Sequence, residues 1–225
     1  MLCVYKVCRQ LWAEHIEASN NYTTQIAHTL RISCDESGIA RAARTIKEGG
    51  IVVFPTDTTY GIGCSPYNAE AVGRIFQIKS RSISKPLPVL VHSMGMAEKI
   101  AVFDERSRRI AARFWPGQVT ILLELADHTL QEPMNLQDTI AVRIPDHMCA
   151  LELLKRCGPL TGTSANTSGE EPATNPDACE IAGYDLLLDG GVLRGGKSTI
   201  VDLRRGKTSI LREGAIPGGE IARIS

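Results

Sequence analysis

The sequence predicts a layered α/β domain built on a mixed β-sheet. Three observations predict it. Helical and strand periods alternate between Asp35 and Arg156, strand-type segments cluster in the last third, and 225 residues with 43% hydrophobic content are enough to bury one real core. Residues 1–34 carry polar stretches such as SNNYTTQ and no sustained period, and read as a loosely ordered extension. Asp35 can N-cap a helix that places Ile39, Ala42, Ala43 and Ile46 on one face, with Gly49-Gly50 to stop it. IVVF (51–54) reads as a buried strand. After the turn-rich PTDTTYGIGCSPYN, Asn68 can cap a second helix, 69–78, with Val72, Ile75 and Phe76 turned inward.

LPVLV (87–91) is the next strand, and two short helices, about 94–101 and 104–113, lead to Trp115-Pro116-Gly117. VTILLEL (119–125) and TIAVRI (139–144) are rich in β-branched residues and read as strands. A helix from His147 to Arg156 precedes PLTGTSAN. DLLLD (185–189), STIVDL (198–203) and TSILRE (208–213) then give strand, turn, strand, turn, strand. No linker, repeat or low-complexity tract follows residue 34, so one domain is expected over 35–217, with 218–225 as a tail.

Lys and Arg together number 25, as do Asp and Glu, and a formal charge of zero argues against a general nucleic-acid coat or a membrane-surface protein. No apolar run reaches the ~18 residues of a spanning helix. The start MLCVYKVCRQLWAEH lacks an unbroken apolar stretch followed by a small-residue cleavage site, so the expected location is the cytoplasm, with no membrane partner. Seven scattered cysteines without a C-x-x-C pair suit reduced thiols, and five dispersed histidines predict no all-protein metal site.

The charge is unevenly placed. Between Glu70 and Glu98 the charged residues, Arg74, Lys79, Arg81 and Lys85, are all basic. Between Asp189 and Glu213 six basic residues face one acid, Asp202. These runs are either solvated faces or two walls of one anion pocket. The segment KSRSISK (79–85) mixes cations with small hydroxyls just past a helix, a composition suited to phosphate oxygens. GTSANTSG (162–169) ends a strand in hydroxyl and amide side chains, which can orient a polar ligand or simply form a Ser/Asn-rich turn. It is not a nucleophile elbow, because Asn166 stands where the second glycine belongs.

GVLRGGKS (191–198) matches the P-loop pattern G-x-x-x-x-G-K-S/T letter for letter. A P-loop must open a helix, whereas TIVDLRRG follows here, alternating and β-branched. Lys197-Ser198 therefore reads as a turn entering a strand. Gly61-Ile62-Gly63 lacks the third glycine of a dinucleotide fingerprint and carries no weight.

GGIVVFPTDTTYGIG (49–63), IFQIKSRSISKPLPVLV (75–91), FWPGQVTILLE (114–124), TIAVRIPDH (139–147), GPLTGTSANTSGEEPATN (158–175), STIVDL (198–203) and ILREGAI (210–216) resemble, in order, the blocks of the YrdC family of threonylcarbamoyl-adenylate synthases, in single-domain form. The likeness is specific because K-x-R (Lys79, Arg81) and S-x-N (Ser164, Asn166) both occur with their flanks. It implies a YrdC-like fold, a twisted mixed β-sheet with flanking helices around a concave basic pocket. It also implies an enzyme, a nucleotidyltransferase that joins L-threonine, bicarbonate or CO2 and ATP into threonylcarbamoyl-AMP and pyrophosphate. A separate transferase would then modify the tRNA adenosine next to the anticodon.

By the same resemblance, Lys79 and Arg81 would be catalytic and contact the ATP phosphates with Lys85, while Thr139, Asn166, Thr174 and Arg212 would complete the nucleotide side. Thr58, Arg143, Ser164 and Ser198 would hold threonine, Arg143 pairing with its carboxylate, and Tyr60 would shape that pocket. Mg²⁺ would come with ATP, without dedicated protein ligands. Arg143, on an otherwise apolar strand, needs an anionic partner, and Asp146 offers a plain ion pair. Relatives often carry a histidine where Leu90 stands, and His92 lies two residues on.

Two rivals share the fold. A carbamoyl-handling module of hydrogenase maturation normally sits in a much longer chain. An RNA-binding module would use the same two basic segments, and a weak RNA contact is expected in any case. Such a binder has no reason to gather Thr58, Arg143, Ser164, Asn166 and Ser198 into one small polar cavity.

Overall fold

Asp35 does cap the first helix, its carboxylate accepting from the Gly38 amide at 2.8 Å, and α1 runs Glu36–Lys47. Asn68 does the same for α2, Ala69–Ile78, through the Ala71 amide at 3.0 Å. Short α3, Met94–Ile100, and α4, Glu105–Phe114, start at Ser93 and Asp104, and α5 is Gln131–Met134. The later helices are α6, Met148–Cys157, and α7, Gly218–Ala222. The structure, a computed structural model, describes residues 30–224.

Twelve strands join these helices among the described residues. They are β1 Leu30–Ser33, β2 Val52–Phe54, β3 Gly61–Gly63, β4 Val89–Leu90, β5 Ala101–Val102 and β6 Val119–Leu125. Then come β7 Thr139–Arg143, β8 Leu160–Thr161, β9 Thr163–Ser164, β10 Leu186–Asp189, β11 Thr199–Asp202 and β12 Ser209–Arg212.

They form two mixed sheets rather than the one expected. The five-stranded sheet has the order β1-β10-β2-β3-β9, and the seven-stranded sheet has β12-β11-β6-β7-β4-β8 with β5 beside β6. The three late strands therefore divide. β10 lies parallel between β1 and β2, whereas β11 lies parallel to β6. Alternation in a sequence marks the faces of a strand and leaves its partner open, so a cluster of strands in sequence need not be a cluster in space.

The apolar runs of β2 and β10 have their reason in this layering. Val52 and Phe54, with Leu186 and Leu188, pack under the stripe Ile39, Ala42, Ala43 and Ile46 of α1 and under Leu153 and Leu154 of α6. Val53 and Leu187 point the other way, into the larger core with Ile62, Val89, Ile121, Val142 and Phe114. A parallel strand covered on both faces reads as a continuous hydrophobic run. Ile46 is 2% exposed within the smaller core, so truncating it removes buried apolar contacts and leaves space behind. Ile46→Ala is expected to cost about 2–5 kcal/mol, read as a lower denaturant midpoint with an unchanged slope.

The single residue Gly162 carries the chain from β8 in the larger sheet to β9 in the smaller one. Gly63 on β3 makes this crossing possible, because a Cβ there would stand 2.0 Å from the Thr161 carbonyl oxygen. The two sheets are thereby held edge to edge at the place where the cleft described below opens.

Three expectations need correction. The expected extension falls mostly outside the described residues, but Leu30–Ser33 form β1, hydrogen-bonded along β10. The expected tail carries α7, whose Ile221 is fully buried in the larger core. Cys34 and Cys149 are joined as a disulfide across a separation of 115 residues, with Cα atoms 6.0 Å apart, instead of remaining thiols. Nothing in the spacing of two single cysteines announces such a pair. Cys64, Cys157 and Cys179 are free, and burial pushes each thiol up, to about 11, 12 and 11. No helix among the described residues is long and apolar enough to cross a membrane.

Candidate active site

A cleft of about 230 Å³ lies where both sheets contribute residues. Strand alternation decides what faces it. On β7, Ile140 and Val142 go to the core, while Ala141 and Arg143 line the cleft. On β11, Val201 goes inward and Ile200 lines the cleft. Thr120 of β6, Leu90 of β4, Ser164 of β9 and Arg212 of β12 complete the walls from the strands. The β2–β3 turn adds Thr56, Thr58 and Thr59, and the loop before β11 adds Gly196, Lys197 and Ser198. That loop enters a strand, not a helix, so the P-loop reading is excluded by the fold as expected from TIVDL.

Four basic residues, Arg81, Arg143, Lys197 and Arg212, line the cleft, with no carboxylate among its lining residues. Arg81 gives its side-chain donors to backbone, Nε to the Lys85 carbonyl at 2.8 Å and Nη2 to the Pro86 carbonyl at 3.1 Å. Arg212 donates to the Ser198 carbonyl, from Nε at 3.1 Å and Nη2 at 2.7 Å, and from Nη2 to Ser198 Oγ at 2.9 Å. Burial holds the pKa of both below the usual arginine value, and Arg212 is lowered further by the charges of Arg143 and Arg81. Four cations line one cleft, and among the described residues only Arg143 has a carboxylate partner, a charge balance suited to an anion.

The anionic partner of Arg143 is Asp57 rather than Asp146. Nη2 donates to Asp57 Oδ1 at 2.5 Å, and the two side chains are 7% and 10% exposed. Nε donates to the Gly117 carbonyl at 2.8 Å, while Nη1 stands 3.5 Å from Thr58 Oγ1. Burial lowers the Arg143 pKa and Asp57 opposes the shift. A guanidinium carries five N–H donors, so this one is fixed on one edge and keeps donors for the cleft.

A family model described as telomere recombination, spanning the Sua5, YciO and YrdC proteins, matches residues 44–214. The chain belongs to the Sua5/YciO/YrdC family. The threonylcarbamoyl-AMP synthase of Pyrococcus abyssi is 35% identical over 201 residues, which cover 87% of this chain and 59% of that relative. The synthase of Pseudomonas paraeruginosa is 35% identical over 174 residues, 74% of this chain and 92% of the relative. The crystal structure of Pyrococcus abyssi Sua5 complexed with L-threonine superposes with a TM-score of 0.78 at 34% identity, covering 87% of this chain and 59% of the other. The chain thus spans about three-fifths of the longer relatives it matches.

Within this Sua5/YciO/YrdC fold the expected threonine-side residues Thr58, Arg143, Ser164 and Ser198 all come together on the cleft wall. Arg81 and Arg212 join them. Five expected nucleotide-side residues are not among the lining. Lys79 is 2% exposed and lies beneath the S-x-N segment, donating to the Ser164 and Asn166 carbonyls at 2.5 and 2.6 Å. Lys85 is exposed on its loop. Thr139 shares the cleft face of β7 one step beyond Ala141. The Asn166 amide donates to the Thr167 and Glu170 carbonyls, leaving Oδ1 buried and unpaired. The Thr174 carbonyl takes the Leu193 amide at 2.7 Å, just behind the loop before β11.

Tyr60 does not shape the cleft directly. It is fully buried, donates to the Gly191 carbonyl at 2.8 Å, accepts from the Gly190 amide at 3.0 Å, and so pins the start of the loop that carries Lys197 and Ser198. Leu90, and not His92, lines the cleft. Sequence reasoning missed Thr56, Asp57, Thr120 and Lys197. Asp57 and Thr56 adjoin Thr58 in one turn, whereas Thr120 meets Ser198 Oγ at 2.9 Å only through the β6–β11 pairing.

Burial, reinforced by Arg81, lowers the Lys79 pKa from the ordinary 10.5 to about 8. The native state therefore releases this proton near pH 8, while the unfolded chain keeps it until about 10.5. Across that window the unfolded state binds more protons, so the stability contributed by Lys79 rises with pH. The stability difference between the parent protein and Lys79→Met should then grow between pH 8 and 10 in urea titrations. A difference that stays flat would place the Lys79 proton elsewhere.

Proposed function

We propose that this chain is a threonylcarbamoyl-AMP synthase, making threonylcarbamoyl-AMP and pyrophosphate from L-threonine, bicarbonate or CO2 and ATP. The observation that carries the proposal is a small cleft lined by hydroxyls and four cations and no acid, with Arg143 anchored on Asp57 and Gly117 and keeping N–H donors beyond the one it gives Thr58. The names of the relatives and the L-threonine bound to the Pyrococcus abyssi protein support it.

Arg143 would take the threonine carboxylate, and Ser164 and Ser198 would bound the side chain. The neutral amine attacks CO2, supplied as such or by loss of water from protonated bicarbonate, and releases one proton to solvent to leave a carbamate, whose oxygen then attacks the α-phosphorus of ATP in line as pyrophosphate leaves. Arg81, Arg212 and Lys197 at the cleft would balance the phosphate charge. The reaction asks the protein for alignment and charge neutralisation rather than for a nucleophile. Lys79 would act from below by fixing the Ser164–Asn166 backbone. Mg²⁺ would ride on the phosphates, since the cleft lining offers cations and hydroxyls and no carboxylate. The product would pass to a separate transferase that modifies tRNA.

Pyrophosphate release with Mg-ATP, measured with and without L-threonine and bicarbonate and with L-serine as control, tests this reading. Release should depend on both threonine and bicarbonate. Background release together with tight, salt-sensitive RNA binding would replace the synthase by an RNA-binding module.

A further inference from the structure

The hydroxyl of Thr56 fixes which way the hydroxyl of Thr58 points, and this follows from counting protons. Thr56 Oγ1 lies 2.7 Å from the Thr59 carbonyl, which can only accept, so Thr56 must donate there. Its single proton is then used. Thr56 Oγ1 also accepts from the Thr58 amide at 3.2 Å and sits 3.0 Å from Thr58 Oγ1. With no proton left on Thr56, the Thr58 hydroxyl must be the donor of that contact. All three threonines are buried, at 5%, 4% and 7% exposure, so water does not offer an easy alternative.

Thr58 Oγ1 therefore has only lone pairs to offer: one accepts from Arg143 Nη1 at 3.5 Å, and the other is left for a donor in the cleft. Asp57 and the Gly117 carbonyl occupy the other side of that guanidinium. The cleft thus presents an acceptor and a cationic donor side by side. An α-amino acid carries the complement, N–H donors on one atom and a carboxylate two bonds away.

We propose that Thr56 is a positioning residue for amine recognition: by accepting the Thr58 proton it makes Thr58 Oγ1 an acceptor for the amino group of the substrate. This rests on the reading of the cleft as a threonine site. Thr56→Val keeps the shape and removes the acceptor, so the Thr58 hydroxyl is free to turn its proton into the cleft. The expected result is a rise in KM for L-threonine on the order of tenfold to a hundredfold, the range of one hydrogen bond to a charged group. The KM for ATP should stay within a factor of about two, because the Thr56 hydroxyl spends its hydrogen bonds on Thr58 and Thr59. Thr56→Ser, which restores the hydroxyl, should recover the parent KM.

A direct binding measurement makes the test independent of turnover and of partial unfolding. Calorimetry compares L-threonine with 3-hydroxybutyrate, which keeps the carboxylate and the hydroxyl and lacks the amine. The parent protein should prefer threonine, and Thr56→Val should lose most of that preference while still binding the hydroxy acid. An unchanged ratio in a folded Thr56→Val protein, or failure of Thr56→Ser to restore it, would overturn the proposal. Should Thr56→Val not fold, Thr56→Ser decides: a ratio that departs from the parent counts against it. Absence of threonine binding by the parent protein would instead remove the synthase reading itself.

Discussion

Arg81→Ala is expected to cut threonine-dependent pyrophosphate release by roughly 10³-fold or more, the scale on which removing an arginine from a phosphoryl-transfer site acts. Arg81 lines the cleft, has no carboxylate to satisfy it among the described residues, and is anchored only through the Lys85 and Pro86 carbonyls of its own loop. A guanidinium held by backbone acceptors is aimed and still electrostatically free. Losing those two exposed contacts should cost the fold about 1 kcal/mol or less. The same substitution also removes a charge that depresses Lys79, so the Lys79 pKa should move back up from about 8. Near-normal turnover in a folded Arg81→Ala protein would take this residue out of the phosphate site.

How far the sequence led can be judged from particular residues. β6 runs Val119–Leu125, the same span as VTILLEL, because a seven-residue run with six β-branched or aliphatic residues and no Gly or Pro reads as a strand. β3 lies in the stretch PTDTTYGIGCSPYN that reads as turn-rich, and the one strand read as ending in GTSANTSG is two short strands, β8 and β9, on either side of Gly162; the close approach that Gly63 permits brings β3 and β8 together. The letter-perfect P-loop match failed for the reason visible in the residues after it: TIVDL makes β11. Local sequence could show that Arg143 needs an anion. It could not choose between Asp146, three residues on, and Asp57, brought there by the β2–β3 turn. The same limit explains Lys79. The K-x-R motif led to the expectation of two cations on ATP phosphates, but only the packed chain shows one of them spent beneath the Ser164–Asn166 backbone.

Arg143→Met should fail in two separable ways. The substitution fills much of the same space but leaves the Asp57 carboxylate, 10% exposed, without its cation, and one of its oxygens already lacks a partner. Breaking a buried pair from one side costs about 3–5 kcal/mol, because the remaining charge stays desolvated. Neutralising that charge in the double variant Asp57→Asn/Arg143→Met should return a large part of the stability. It should return none of the threonine-dependent activity, since the donor facing Thr58 is still missing. Arg143→Lys adds the third corner. It keeps a positive charge near Asp57 and supplies a point charge in place of a planar fork, so stability should fall less while the KM for threonine rises steeply. Urea unfolding and steady-state pyrophosphate release on the three variants therefore separate the structural from the recognition role. Should the double variant recover turnover along with stability, Arg143 would be a core ion-pair partner and not a ligand for the threonine carboxylate.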